Sequence, residues 1–185
     1  MTGQRKIIAA LFISLDGVVE APETWHMSYV DEQMMGAIMG GNERMDTFLL
    51  GRTTFESHRD AFAHADPNDP VVAMMNRPAR VVVSTTIGDD TGWDGTTVIR
   101  TDVEANLRAL KEQPGKDLLT TGSTKLVRSM LGYGVVDELH LFVHPLVVGS
   151  GERLFEDGGP RLPLRVLKSE TFDSGVIHVE YQVGA

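Results

Sequence analysis

The chain has 185 residues, a formal net charge of −9, 42% hydrophobic and 23% charged residues, and no cysteine. That length and composition fit one domain with a full core. The charge argues against a nonspecific nucleic-acid or anionic-membrane binder, and the missing cysteine excludes disulfides, thiolate metal sites and cysteine nucleophiles.

Ile7 to Ile13 is a continuous apolar run, as expected of a strand covered on both faces in the middle of an α/β sheet. Arg5-Lys6 ahead of it imitates a secretion signal. The run is too short and lacks a small-residue cleavage site, so the expected compartment is the cytoplasm. Ser14-Leu15-Asp16-Gly17 ends the strand with turn residues. In the loop that follows, Trp25 and His26 could line a pocket or simply pack. Ser28 is the expected cap of the first helix, with Asp31 favourable to its dipole. Val30, Met34 and Ile38 form its apolar stripe, Met34, Met35 and Met39 read as core or pocket wall, and Gly40-Gly41 ends it.

Thr47 to Glu56 reads as a strand end, a glycine turn at Gly51 and a helix start, with Thr53 and Glu56 at capping-box spacing. A helix N-terminus of this kind can hold an anion, and Arg52 adds donors suited to phosphate. Pro70 to Asn76 is a short helix and Arg80 to Thr85 a third strand; Arg77 and Arg80 read as solvated surface arginines. A turn-rich loop, Gly88 to Gly95, leads to a strand at Thr96 to Arg100 and a helix capped by Asp102.

Asp117 to Thr121 is a strand entering Gly122-Ser123, and the next helix turns Leu126, Val127, Met130 and Leu131 inward. This junction repeats the earlier one, so two helix N-termini could face one crevice at the carboxyl ends of the strands. Val136 to His144 alternates, with His140, Phe142 and His144 on one face. His140 and His144 have a ligand-like spacing, but no third ligand is in register and no metal is expected. Leu164 to Phe172 and Val176 to Val183 are strands joined by a turn at Asp173-Ser174-Gly175. The fold class expected is α/β: a mostly parallel sheet flanked by helices, with antiparallel C-terminal strands, in one domain over residues 1–185. The G-x-G-x-x-G fingerprint is absent after the first strand, as is P-loop spacing.

Five segments in order resemble the dihydrofolate reductase superfamily: Ser14-Leu15-Asp16-Gly17, Leu50 to Glu56, Val81 to Thr85, Thr121-Gly122-Ser123 and Val136 to Leu141. Pro145 to Phe155, with Gly149-Ser150-Gly151, is similar to the reductase domain of bacterial riboflavin biosynthesis and its stand-alone relatives. The resemblance implies an eight-stranded dihydrofolate reductase-like sheet, an NADPH site, a small-molecule substrate and a homodimer. It implies reduction of 5-amino-6-(5-phosphoribosylamino)uracil or a related heterocycle. Dihydrofolate reduction and a non-catalytic nucleotide-binding relative are the alternatives.

By the same resemblance Gly17, Gly51, Arg52, Thr53 and Thr54 would meet the cofactor, Ser84 and Thr85 its 2′-phosphate side, and Thr121, Gly122, Ser123 and Thr124 its pyrophosphate. The family's two glycines stand opposite Thr121-Gly122, which raises the question of how closely the backbone can approach a ligand. Asp16 and Asp31 are the catalytic candidates, each with a plain alternative as a turn or helix-start carboxylate.

Overall fold

The computed structural model describes residues 4–184. Eight strands form one sheet: β1 (Ile7–Ser14), β2 (Met45–Gly51), β3 (Ala79–Val83), β4 (Thr96–Ile99), β5 (Asp117–Gly122), β6 (Glu138–His144), β7 (Leu164–Thr171) and β8 (Ile177–Val183). Their spatial order is β4-β3-β2-β5-β1-β6-β8-β7. The pairs from β4 to β6 are parallel, and β8 runs antiparallel to both β6 and β7. This is the expected dihydrofolate reductase-like α/β sheet.

Alternation along β1 explains why its sequence is apolar throughout. Ile7, Ala9, Leu11 and Ile13 enter a core with Leu118, Leu139 and Leu141. Ile8 instead joins a second cluster with Phe48 and Leu119. The first core is closed by α4 (Val103–Glu112) and α5 (Thr124–Gly132), through Leu107, Val127 and Met130. On the other face lie α1 (Glu32–Glu43), α2 (Arg52–Phe62) and α3 (Pro70–Asn76), which contribute Met34, Phe55 and Met75. Burying each large apolar side chain contributes about 1.5–3 kcal/mol, so both faces of β1 are needed.

Three local expectations are corrected. Asp31, not Ser28, caps α1, and its carboxylate accepts from Met34 N at 2.8 Å. Ser28 instead lies in a short 3-10 turn, Met27–Tyr29. Asp102 stands at the start of α4 with φ 50° but makes no side-chain cap. Arg80 is buried rather than solvated. Its guanidinium lies 3.8 Å over the Trp93 ring and donates to the carbonyls of Asp94, Met75 and Asn76. It stands near the start of β3, where its neighbours are backbone carbonyls and one aromatic face.

Candidate active site

Because β2 and β5 are parallel neighbours, their carboxyl ends deliver α2 and α5 side by side. The junctions touch. A Cβ added to Gly51 would overlap the Ser123 hydroxyl and lie 3.0 Å from the Ser123 amide nitrogen. A Cβ on Gly122, at φ 143°, would meet Thr54 Oγ1 at 2.8 Å. Neither helix has a side-chain cap, Gly51 and Ser123 standing at the two N-cap positions. The capping box expected of Thr53 and Glu56 is therefore not formed. Glu56 pairs instead with Arg52 at 3.5 Å, on the exposed side of α2. The close approach belongs to Gly122-Ser123, joined by a cis peptide bond, rather than to Thr121-Gly122. Thr121 is exposed and lines the crevice.

That crevice has a volume of about 990 Å³ and lies over β1, β2, β5 and β6 on the face carrying α1 and α2. Thr53, Thr54, Thr121, Gly122, Ser123 and Thr124 line it together, so six of the sequence-derived cofactor residues meet on one wall. Ser84 and Thr85 lie beyond the carboxyl end of β3, one strand away from Gly51. Ser84 Oγ accepts from the amides of Thr86 and Ile87, while Thr85 is exposed. Gly17 takes φ 86° in the tight turn after β1, a conformation that glycine enters without strain.

Asp16 and Asp31 are not brought together, and neither lines the crevice. Asp16 accepts from Ser14 Oγ at 2.7 Å and from the amides of Val148 and Gly149 at 3.0 and 2.9 Å. These bonds, the Ser14 hydroxyl first, hold its carboxyl down at about 2. Asp16 thereby ties the turn after β1 to the loop after β6. Asp31 accepts from Ser174 N at 3.0 Å as well as capping α1. Its carboxyl is lowered chiefly by the Met34 amide.

Sequence reasoning passed over His58 and His178 and gave His144 no role, yet all three have special surroundings. His144 is fully buried, its Nδ1 against the Phe142 carbonyl at 2.8 Å and its Nε2 without a partner. Phe12, Trp25, His26 and Tyr29 enclose its ring, and His26 stacks on Phe12 at 4.5 Å. His58 lines the crevice from α2, and burial pushes it down to about 4. His178, on β8, is buried beside His140. Burial also moves His26, His144 and His178 below the usual imidazole range. The available signal was the alternation His178-x-Glu180, which repeats that of β6.

Among the described residues no helix is long and apolar enough to cross a membrane. Residues 5–178 match the family model described as the RibD C-terminal domain. The Bacillus subtilis protein YyaP is 30% identical over 96% of this chain and 95% of its own length. Among solved structures, a Thermotoga maritima diaminohydroxyphosphoribosylaminopyrimidine deaminase/5-amino-6-(5-phosphoribosylamino)uracil reductase superposes with a TM-score of 0.67 at 14% identity, over 97% of this chain and 57% of that longer one. Dihydrofolate reductase from Enterococcus faecalis, complexed with NADP(H) and RAB-propyl, gives 0.67 at 13% identity over 100% of both chains.

Proposed function

The chain belongs to the RibD C-terminal domain family, and from that membership we propose that it is an NADPH-dependent reductase of a small heterocyclic substrate. The substrate class favoured is the phosphorylated ribosylaminopyrimidine named for the Thermotoga maritima enzyme. One observation carries the cofactor reading: two uncapped helix N-termini converge on one crevice, with a glycine at each junction where a side chain would collide with its neighbour. Free amide donors and the positive ends of two dipoles suit the paired phosphates of a dinucleotide.

In this reading Thr53 and Thr54 with the first turn of α2, and Thr121 to Thr124 with the first turn of α5, hold those phosphates. Arg52 leaves Glu56 to join them, and Ser84 with Thr85 meets the 2′-phosphate. Gly17 gives the turn after β1 the backbone shape it needs beside the cofactor. When bound, the cofactor supplies a hydride to an electrophilic carbon of the substrate, and a proton completes the reduction. The Phe12 and Phe142 rings line the crevice as an apolar wall against which flat rings can pack. Asp16 and Asp31 act through the segments they fasten, the turn after β1 and the start of α1. The reading also carries a cytoplasmic homodimer. Its support is the run of exposed apolar residues Leu164, Val166 and Leu167 on the edge strand β7, and its test is sedimentation equilibrium.

The deciding experiment is a fluorescence titration with NADPH and with NADH, followed by assay on the ribosylaminopyrimidine. Tighter binding of NADPH with turnover is the expected result. Binding of neither nucleotide would overturn the reading.

A further inference from the structure

The antiparallel register of β6 and β8 sets His140 opposite Glu180 and Phe142 opposite His178. Residues two apart share a face, so His140, His178 and Glu180 all turn toward the side that carries α1. Their ligand atoms lie within 4.8 Å of one another. We infer that these three side chains form a site for one divalent transition-metal ion of the zinc class, with an open coordination position facing the crevice.

Geometry and chemistry support this independently of the cofactor reading. Two imidazoles and one carboxylate are ligands that zinc accepts, and a fourth position taken by water or substrate is usual where such a site borders a cavity. Bonds of about 2.0–2.1 Å in a tetrahedron need ligand atoms roughly 3.4 Å apart. The two imidazole–carboxylate distances, 3.7 and 4.0 Å, already lie close to that spacing. Both histidines are buried, at 7% and 4% exposure. Among the described residues Glu180 has no lysine or arginine within salt-bridge range. Its ionic partners are His140 Nε2 at 3.7 Å and His178 Nε2 at 4.0 Å. A largely buried carboxylate facing two imidazoles is a natural place for a cation.

The surroundings orient the ligands. His178 Nδ1 faces Glu170 Oε1 at 3.3 Å, which leaves Nε2 directed at Glu180. This is the carboxylate–histidine arrangement that commonly lies behind a metal. Phe142 stacks on the His178 ring at 4.3 Å and fixes its plane. His140 Nε2 donates to Glu138 at 2.9 Å; to bind the metal its ring gives up that proton and turns toward Glu180. Glu138 then keeps its ion pair with Lys6 at 2.6 Å. His140, His178, Glu180 and the neighbouring Lys168 all line the crevice, so an anionic oxygen could complete the coordination there.

The test is titration of chelator-stripped full-length protein with Co²⁺, followed by visible absorption, and then displacement by Zn²⁺. One equivalent should give the intense bands of a four- or five-coordinate site, and Zn²⁺ should abolish them. Glu180→Gln and His178→Ala should each weaken Co²⁺ binding roughly tenfold or more, while His64→Ala, an exposed histidine elsewhere, should leave it unchanged. Circular dichroism checks each fold, and if His178→Ala does not fold, Glu180→Gln carries the test alone. Absent bands at millimolar Co²⁺, or equal affinity in Glu180→Gln and the wild type, would overturn the site.

Discussion

Gly51 and Ser123 occupy adjoining space: the first ends β2, the second opens α5, and a side chain on Gly51 would run into the Ser123 hydroxyl. Gly51 itself is extended, at φ −77° and ψ 163°, so alanine there meets no backbone strain. Its cost is steric alone. Gly51→Ala should destabilise the fold by about 1–3 kcal/mol, the range for forcing atoms into packed space, as read by urea denaturation. It should also weaken NADPH binding. Ser123→Ala alone should stay within about 0.5 kcal/mol of wild type. A fully stable Gly51→Ala protein would show that the two helices are not held this close.

Arg52 separates cofactor binding from stability. Its pair with Glu56 is exposed and one helical turn long, an arrangement worth about 0.3–0.5 kcal/mol. Arg52→Ala should therefore barely change the melting temperature, yet raise the Kd for NADPH roughly tenfold, as for one lost charge-assisted hydrogen bond. An unchanged Kd would remove Arg52 from the site. Glu56→Ala should bind NADPH at least as well as wild type, since it frees the guanidinium.

Asp16 predicts a local effect. Its carboxylate holds the amides of Val148 and Gly149. Asp16→Asn turns an acceptor into a donor on one side, and hydrogen exchange at those two amides should accelerate. Because the carboxyl is lowered from 3.8 to about 2, the stability it contributes is present above pH 3.8. It is lost as the pH falls through about 2. The variant should lack that acid-side loss. Normal turnover in Asp16→Asn would exclude an acid role.

His58 predicts the opposite end of the acid limb. Its proton affinity is lowered from 6.5 to about 4 by burial, so the folded protein binds fewer protons than the unfolded chain between those values. Stability should be complete above pH 6.5 and decline as the pH drops toward 4. His58→Phe, with no group to titrate, should flatten that part of the pH–stability curve.

Arg80 is held by three carbonyls and one indole face. Arg80→Ala strands those carbonyls, and denaturant unfolding should show a loss of about 3 kcal/mol or more. Nicotinamide nucleotide affinity of the folded fraction should stay the same, since Arg80 lies near the start of β3 and away from the crevice.

The sheet was legible because its strands carry period and composition together: the double-sided burial of β1, and the alternation of β6 with Leu139 and Leu141 on one face. The paired junctions were legible because glycine followed by hydroxyl residues after an apolar run leaves few local structures. What escaped depended on neighbours distant in sequence. Arg80 looks like any surface cation until Trp93 and the Asp94 carbonyl are folded onto it. Two of the groups that face His140, His178 and Glu180, come from β8, so no local spacing announces them. Thr53 and Glu56 had the right spacing for a cap, but the helix starts two residues earlier than that motif requires.

The position of β1 has a consequence for how the chain is made. The first strand of this sheet to be synthesised is one of its central strands, paired at Ile7 with Leu118 and at Ile8 with Glu138. Until those later segments are synthesised, the run Ile7 to Ile13 has no strand beside it on either edge. Distant pairing of this kind slows folding and leaves apolar backbone open to wrong partners. The run Ile7 to Ile13 must therefore stay free of wrong partners while more than 100 further residues are added, until Leu118 and Glu138 arrive to pair with it.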